Sequence, residues 1–64
     1  MTLKQAAKQA IDTHNIKMIG QIVNQLRDIG FNYKSTQQWF ARWGVDSDVF
    51  EGLMVEVDNY EANN

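Results

Sequence analysis

The chain has 64 residues, 44% of them hydrophobic and 22% charged, with no cysteine, no proline and a net charge of −2. This composition suits one globular domain near the lower size limit for an unassisted core, and it excludes disulfide staples and thiolate metal sites. Apolar runs such as Leu53-Met54-Val55 fall far short of the roughly 20 residues that span a membrane, and Met1-Thr2-Leu3-Lys4 lacks the apolar segment of a secretory signal, so a cytoplasmic protein without a membrane partner is expected.

Thr2 with Gln5 reads as a capping box. Leu3, Ala6, Ala7, Ala10, Ile11 and His14 follow at spacings of three and four, predicting an amphipathic helix over residues 3–14. Its seam is narrow and alanine-rich, so another helix can approach closely. His14 falls on that stripe near the helix end, where it is expected to pack or to favour the helix dipole rather than to act as a base or ligand. Thr13-His14-Asn15 is a break, with Asn15 capping the next element.

Ile16, Ile19, Ile22, Val23, Leu26 and Ile29 form the most apolar stripe, predicting a central helix over residues 16–29. Gly20 inside it marks a close helix crossing, since a helical glycine otherwise lowers stability by about 1 kcal/mol. Gly30 ends the helix, and Phe31 is placed to touch Leu26 as in a Schellman ending. Ser35 with Gln38 reads as a second capping box, which starts a short helix over residues 36–43. Trp39, Phe40 and Trp43 share one side of it. Gly44 ends it, with Val45 set to touch Phe40.

Asp46 or Ser47 caps the last helix, over residues 48–58, where Phe50, Leu53, Met54 and Val57 recur at helical spacing and Tyr60 falls on the same stripe. A strand is the rival, because Leu53, Val55 and Val57 alternate with Met54, Glu56 and Asp58, but it would lack a partner strand. Residues 61–64 are expected to fray. The reading is an all-α, single-domain bundle of three to four short helices, helix-turn-helix-like. Its centre is expected at Ile19, Val23, Leu26, Phe40, Trp43 and Leu53. If Trp43 is fully buried, Trp43→Ala costs about 3–5 kcal/mol.

Little in the chain supports catalysis. There is one histidine, and the two serines, Ser35 and Ser47, are explained as caps. His and Cys ligands for a transition metal are missing, and the four glycines are too dispersed for a phosphate loop. Asp46, Asp48 and Glu51 lack the glycine and oxygen run of a calcium loop. No catalytic residue, cofactor or metal is therefore expected.

The charge is unevenly divided. Residues 1–45 hold all six bases against Asp12 and Asp28, giving +4, whereas residues 46–64 hold six acids and no base, giving −6. The plainest reading folds the acidic end onto the basic body. The sharper one makes Asp46, Asp48, Glu51, Glu56, Asp58 and Glu61 a docking face for a basic protein partner. That predicts a non-enzymatic regulator, adaptor or inhibitor, with mimicry of nucleic-acid phosphates as a special case. The analogy there is to small acidic proteins of phages and other mobile elements.

The alternative is a helix-turn-helix DNA binder. Helices two and three would form the motif, presenting Lys34, Gln37, Gln38 and Arg42 to bases and phosphates. The link between them is long for the motif, and a reader this short is expected to need dimerisation. Helices three and four have better spacing, but Phe40 stands where a small residue is usual, and Asp48, Glu51 and Glu56 would be repelled by phosphate. Monomer and homodimer both stay open, and an enzyme is the least supported class.

Overall fold

The computed structural model of the chain describes residues 2–63, which form four helices and no strand. Helix α1 (Leu3–Asp12) starts as the sequence predicts. Thr2 Oγ1 accepts from the Gln5 amide at 3.2 Å, and Gln5 Oε1 accepts from the Thr2 amide at 3.1 Å. Ala7 and Ala10 are completely buried, so the alanine seam is what lets α1 lie close against the bundle.

The end of α1 differs from the expectation. The helix stops at Asp12, and His14 takes a left-handed conformation, φ 52°. The His14 amide donates to the Ile11 carbonyl at 3.2 Å and the Asn15 amide to the Ala10 carbonyl at 2.9 Å. That is a Schellman turn with histidine where glycine is usual. His14 is therefore outside the helix and exposed, not on its apolar stripe. The cause is the next residue. Asn15 caps α2 (Ile16–Asp28) by accepting from the Met18 amide, so the chain must reverse at His14.

Helix α2 is the centre of the bundle, with Ile19, Gly20, Ile22, Val23 and Leu26 buried. Gly20 sits where α2 crosses α4, and a Cβ there would lie 3.2 Å from Val57 Cγ1. Gly30, φ 103°, ends the helix as predicted, with Gly30 N donating to Arg27 O and Phe31 N to Leu26 O, both at 3.0 Å. Ile29 is the exception, at 69% exposed. The Schellman turn that Gly30 imposes makes Ile29 the C-cap and takes it off the apolar stripe.

Helix α3 (Tyr33–Ala41) begins three residues before the predicted start. Asn32, not Ser35, is its N-cap, and Asn32 Oδ1 accepts from the Ser35 amide at 2.8 Å. The Ser35–Gln38 capping box is therefore not formed. The Phe31 turn delivers Asn32 first, and asparagine caps as well as serine. Thr36 is buried and satisfied, its hydroxyl donating to the Asn32 carbonyl at 2.7 Å. The helix ends at Ala41, two residues before the predicted end at 43, because the chain tightens there, with Trp43 N donating to Phe40 O at 2.9 Å and Gly44 N to Ala41 O at 3.1 Å. Gly44, φ 83°, completes the turn, and Val45 drops into the core.

Trp43 is thus in a turn and half-buried, not at the core centre. It lies 6.2 Å from Trp39, which stands edge-on to Phe40 at 5.1 Å. Phe40 and Phe50 fill the centre, 5.6 Å apart, and Tyr33 meets Phe50 edge-on at 5.3 Å. The other five predicted centre residues, Ile19, Val23, Leu26, Phe40 and Leu53, are buried.

Helix α4 (Ser47–Ala62) is capped by Asp46, whose Oδ1 accepts from the Val49 amide at 3.0 Å. It runs past the predicted end at 58, so residues 61–62 are helical and do not fray. Asn64 lies outside the described residues. Val55 is exposed while Leu53, Met54 and Val57 are buried, which is the pattern of a helix and not of a strand.

Candidate interaction surfaces

The structure divides the six carboxylates of the acidic segment into two groups. Asp46 is the α4 cap. Glu56 Oε2 lies 2.7 Å from His14 Nε2. Glu61 Oε1 accepts from Asn24 Nδ2 at 3.4 Å. Asp48, Glu51 and Asp58 are exposed and make no hydrogen bond or ion pair among the described residues. With 3.6 residues per turn, these three and Val55 fall within a sector of roughly 80° on α4. Val55 is 55% exposed.

Helix α4 does lie on the body of the protein, but its apolar face holds it there. Among the described residues no lysine or arginine comes within 4 Å of a carboxylate. The short contact that the acidic end makes with the body's one histidine, His14–Glu56, is exposed on both sides and worth no more than about 1 kcal/mol.

Of the predicted DNA-reading set, Lys34, Gln38 and Arg42 are exposed and follow at intervals of four, so they form one outward row on α3 and its end. Gln37 is half-buried and lies to one side. Phe31, Ser35 and Trp39 join Gln38 and Arg42 around a shallow depression of about 200 Å³. The link from α2 to α3 is Ile29–Asn32, four residues with Gly30 among them, the length usual for a helix-turn-helix. The early start of α3 thus removes the objection that this link is too long. The α3–α4 link has five residues, Arg42–Asp46, and its second helix is acidic.

A third surface was not read from the sequence. Beside the end of α1, α4 borders two depressions that share His14 and Glu56. One, of about 250 Å³, is lined by Ile11, His14, Val49, Gly52, Leu53 and Glu56. The other, of about 470 Å³, is lined by Ile16, Asn59, Tyr60 and Asn63 besides the shared pair. Val49, Gly52, Glu56 and Asn59 recur at intervals of three and four, the signal that could have marked this side of α4.

Among the described residues no three His, Asp or Glu side chains converge to hold a metal, and no helix is long and apolar enough to cross a membrane. Comparison with known proteins gives no match: no protein family fits the chain, and no curated protein and no solved structure is significantly similar to it.

Proposed function

We propose that this is a non-enzymatic interaction module that docks a basic protein partner through α4. The observation that carries the reading is the exposed row of Asp48, Glu51 and Asp58 beside Val55. Among the described residues none of the three carboxylates has a hydrogen-bond or ion-pair partner, and an apolar side chain stands between them. Charge complementarity of this kind steers encounter and fixes register, while an apolar centre supplies burial. The reading places the protein among small regulators, adaptors or inhibitors.

The test is an amide chemical-shift titration with a peptide of mixed lysine and leucine at about 150 mM salt. Amides of Asp48, Glu51, Val55 and Asp58 are expected to shift, and the Asp48→Asn, Glu51→Gln, Asp58→Asn triple variant to bind more weakly. An unchanged affinity in that variant sinks the reading.

One observation favours a second reading, DNA binding by α3, namely the four-residue Ile29–Asn32 link ahead of the Lys34, Gln38 and Arg42 row. Mixed-sequence duplex DNA at about 50 mM salt tests it, because phosphate contacts are strong at low salt. Shifts at those three residues that vanish at high salt would select it. Silence there would remove it.

A further inference from the structure

We infer that the depression beside α3 takes one unpaired base of a single-stranded nucleic acid, with Arg42 and Lys34 holding the phosphates on either side. The inference is independent of the α4 docking reading, and it assigns to α3 a ligand other than duplex DNA.

The site is built by one stripe of the sequence. Ser35, Gln38, Trp39 and Arg42 recur at intervals of three and four, so they face one way on α3 and its end. Phe31, four residues before Ser35, joins them because its turn is pinned by the bond from its amide to the Leu26 carbonyl. These five residues line the depression of about 200 Å³. Pockets that enclose a whole drug-sized molecule run to roughly 300–1,000 Å³, so this one has room for a single ring.

The lining names the chemistry of that ring. Phe31 and Trp39 are half-buried and offer apolar ring surface. Trp39 meets Phe40 and Trp43 at steep angles, 80° and 73°, so among the described residues no ring lies flat against it. A flat aromatic guest can take that place. Among the described residues the Ser35 hydroxyl, the Gln38 carboxamide and the Arg42 guanidinium make no hydrogen bond or ion pair, which leaves them for a guest. Gln38 can both donate and accept at a base edge.

Charge decides what flanks the ring. Among the described residues Arg42 is the one ionisable group in the lining, and no acid lies between Asp28 and Asp46 in the sequence. Lys34 stands two turns before Arg42 in the same outward row, roughly 12 Å along the helix. A cation, a base-edge group and a second cation thus follow in line beside the rings, which is how a stacking platform is set in an electrostatic track. A duplex keeps its bases stacked and shows only their edges, so it brings no ring to insert. An acidic peptide matches the cations, whereas a nucleic-acid strand brings an anion and a flat ring with a hydrogen-bonding edge in every unit.

The experiment titrates the protein with an oligothymidylate of about eight nucleotides at about 50 mM salt. The amides of Phe31, Ser35, Gln38 and Arg42 are expected to shift. The fluorescence of Trp39, read alone in Trp43→Phe, is expected to fall. Arg42→Gln, a change at an exposed side chain, is expected to lower affinity severalfold. Trp39→Leu is expected to lower it about tenfold, the order of one base–aromatic stack. If Trp39→Leu unfolds, Arg42→Gln and the Trp39 fluorescence still decide. Unchanged affinity in Arg42→Gln, or shifts at Lys34 and Arg42 with Trp39 fluorescence unmoved, overturns the base pocket. A mixed-sequence duplex of the same length that binds as tightly as the single strand overturns it in favour of the duplex reading. A peptide of glutamate and phenylalanine that binds more tightly than the oligothymidylate gives the site to an acidic protein and overturns the assignment. Silence with all three probes also overturns the pocket, and the α4 reading then stands or falls on its own titration.

Discussion

At the scale of single residues, the two helical glycines that the fold does not need for a turn make opposite predictions. Gly52→Ala recovers helix propensity with nothing to displace, so a gain of about 0.5–1 kcal/mol is expected in a thermal melt. Gly20→Ala recovers the same propensity but sets a Cβ 3.2 Å from Val57 Cγ1. Val57 is 3% exposed and hemmed in by the core, so it has little room to yield. The melting midpoint is expected to fall, and a rise would show that the α2–α4 crossing can relax. The aromatic residues make a second contrast. Phe40 is fully buried, and Phe40→Ala is expected to cost about 3–5 kcal/mol. Trp43 is half-buried, and its Nε1 is buried without a hydrogen-bond partner, so part of its packing gain is offset by that stranded donor. Trp43→Ala is expected to cost less than Phe40→Ala, and Trp43→Phe less again. Equal losses for Trp43→Ala and Phe40→Ala in denaturant titrations would contradict this ordering.

At the scale of elements, the apolar periodicity was legible and the helix ends only partly so. All four helices, most of their buried faces and the turns at Gly30 and Gly44 follow from spacing and from glycine chemistry, whereas His14, Ile29 and Tyr60, read on the apolar stripes, are exposed. What the sequence hides is competition between neighbouring caps. Asn32 and Ser35 are three residues apart, and each can start a helix. The choice falls to the turn before them, where Phe31 hydrogen-bonds back to Leu26 and leaves Asn32 at the entry. His14 is hidden for a related reason, since a left-handed histidine has no sequence signature as clear as glycine's. The candidate surfaces inherit these limits. The α3 row keeps Lys34, Gln38 and Arg42 but loses Gln37, which lies half-buried about 100° round the helix from Gln38. The acidic set keeps Asp48, Glu51 and Asp58 on one row because helix phase, not composition, sorts carboxylates. Cap choice is directly measurable. Asn32→Ala is expected to lose about 1 kcal/mol, since it leaves the Ser35 amide without its acceptor, whereas Ser35→Ala keeps that amide capped and is expected to be near neutral. The reverse ranking would move the start of α3 back to Ser35.

At the scale of the whole molecule, no helix is equipped to stand alone. The fully or nearly buried residues of α1 are two alanines, which bring little apolar area, and α3 has nine residues, below the length at which an isolated helix persists in water. Helix α4 is longer, yet Phe50, Leu53, Met54 and Val57 are buried only by contact with the other helices. One apolar cluster joins Ala7 and Ala10 of α1, the α2 stripe, Phe40 of α3, Val45 of the link and the inner face of α4. Removing any one wall exposes the rest, so unfolding is expected to be a single transition. Its free energy is expected near 3–5 kcal/mol, as for other cores of this size. The two tryptophans make this testable without a label. Trp39 and Trp43 report α3 and its end by fluorescence, while far-ultraviolet circular dichroism reports all four helices. Both signals are expected to share one urea midpoint. A dichroism signal that outlasts the tryptophan change would mean that the α1–α2 pair or α4 keeps structure after α3 leaves. The docking surfaces of α4 would then belong to a helix that can fold without the aromatic core, and a partner could bind it before the rest of the domain assembles.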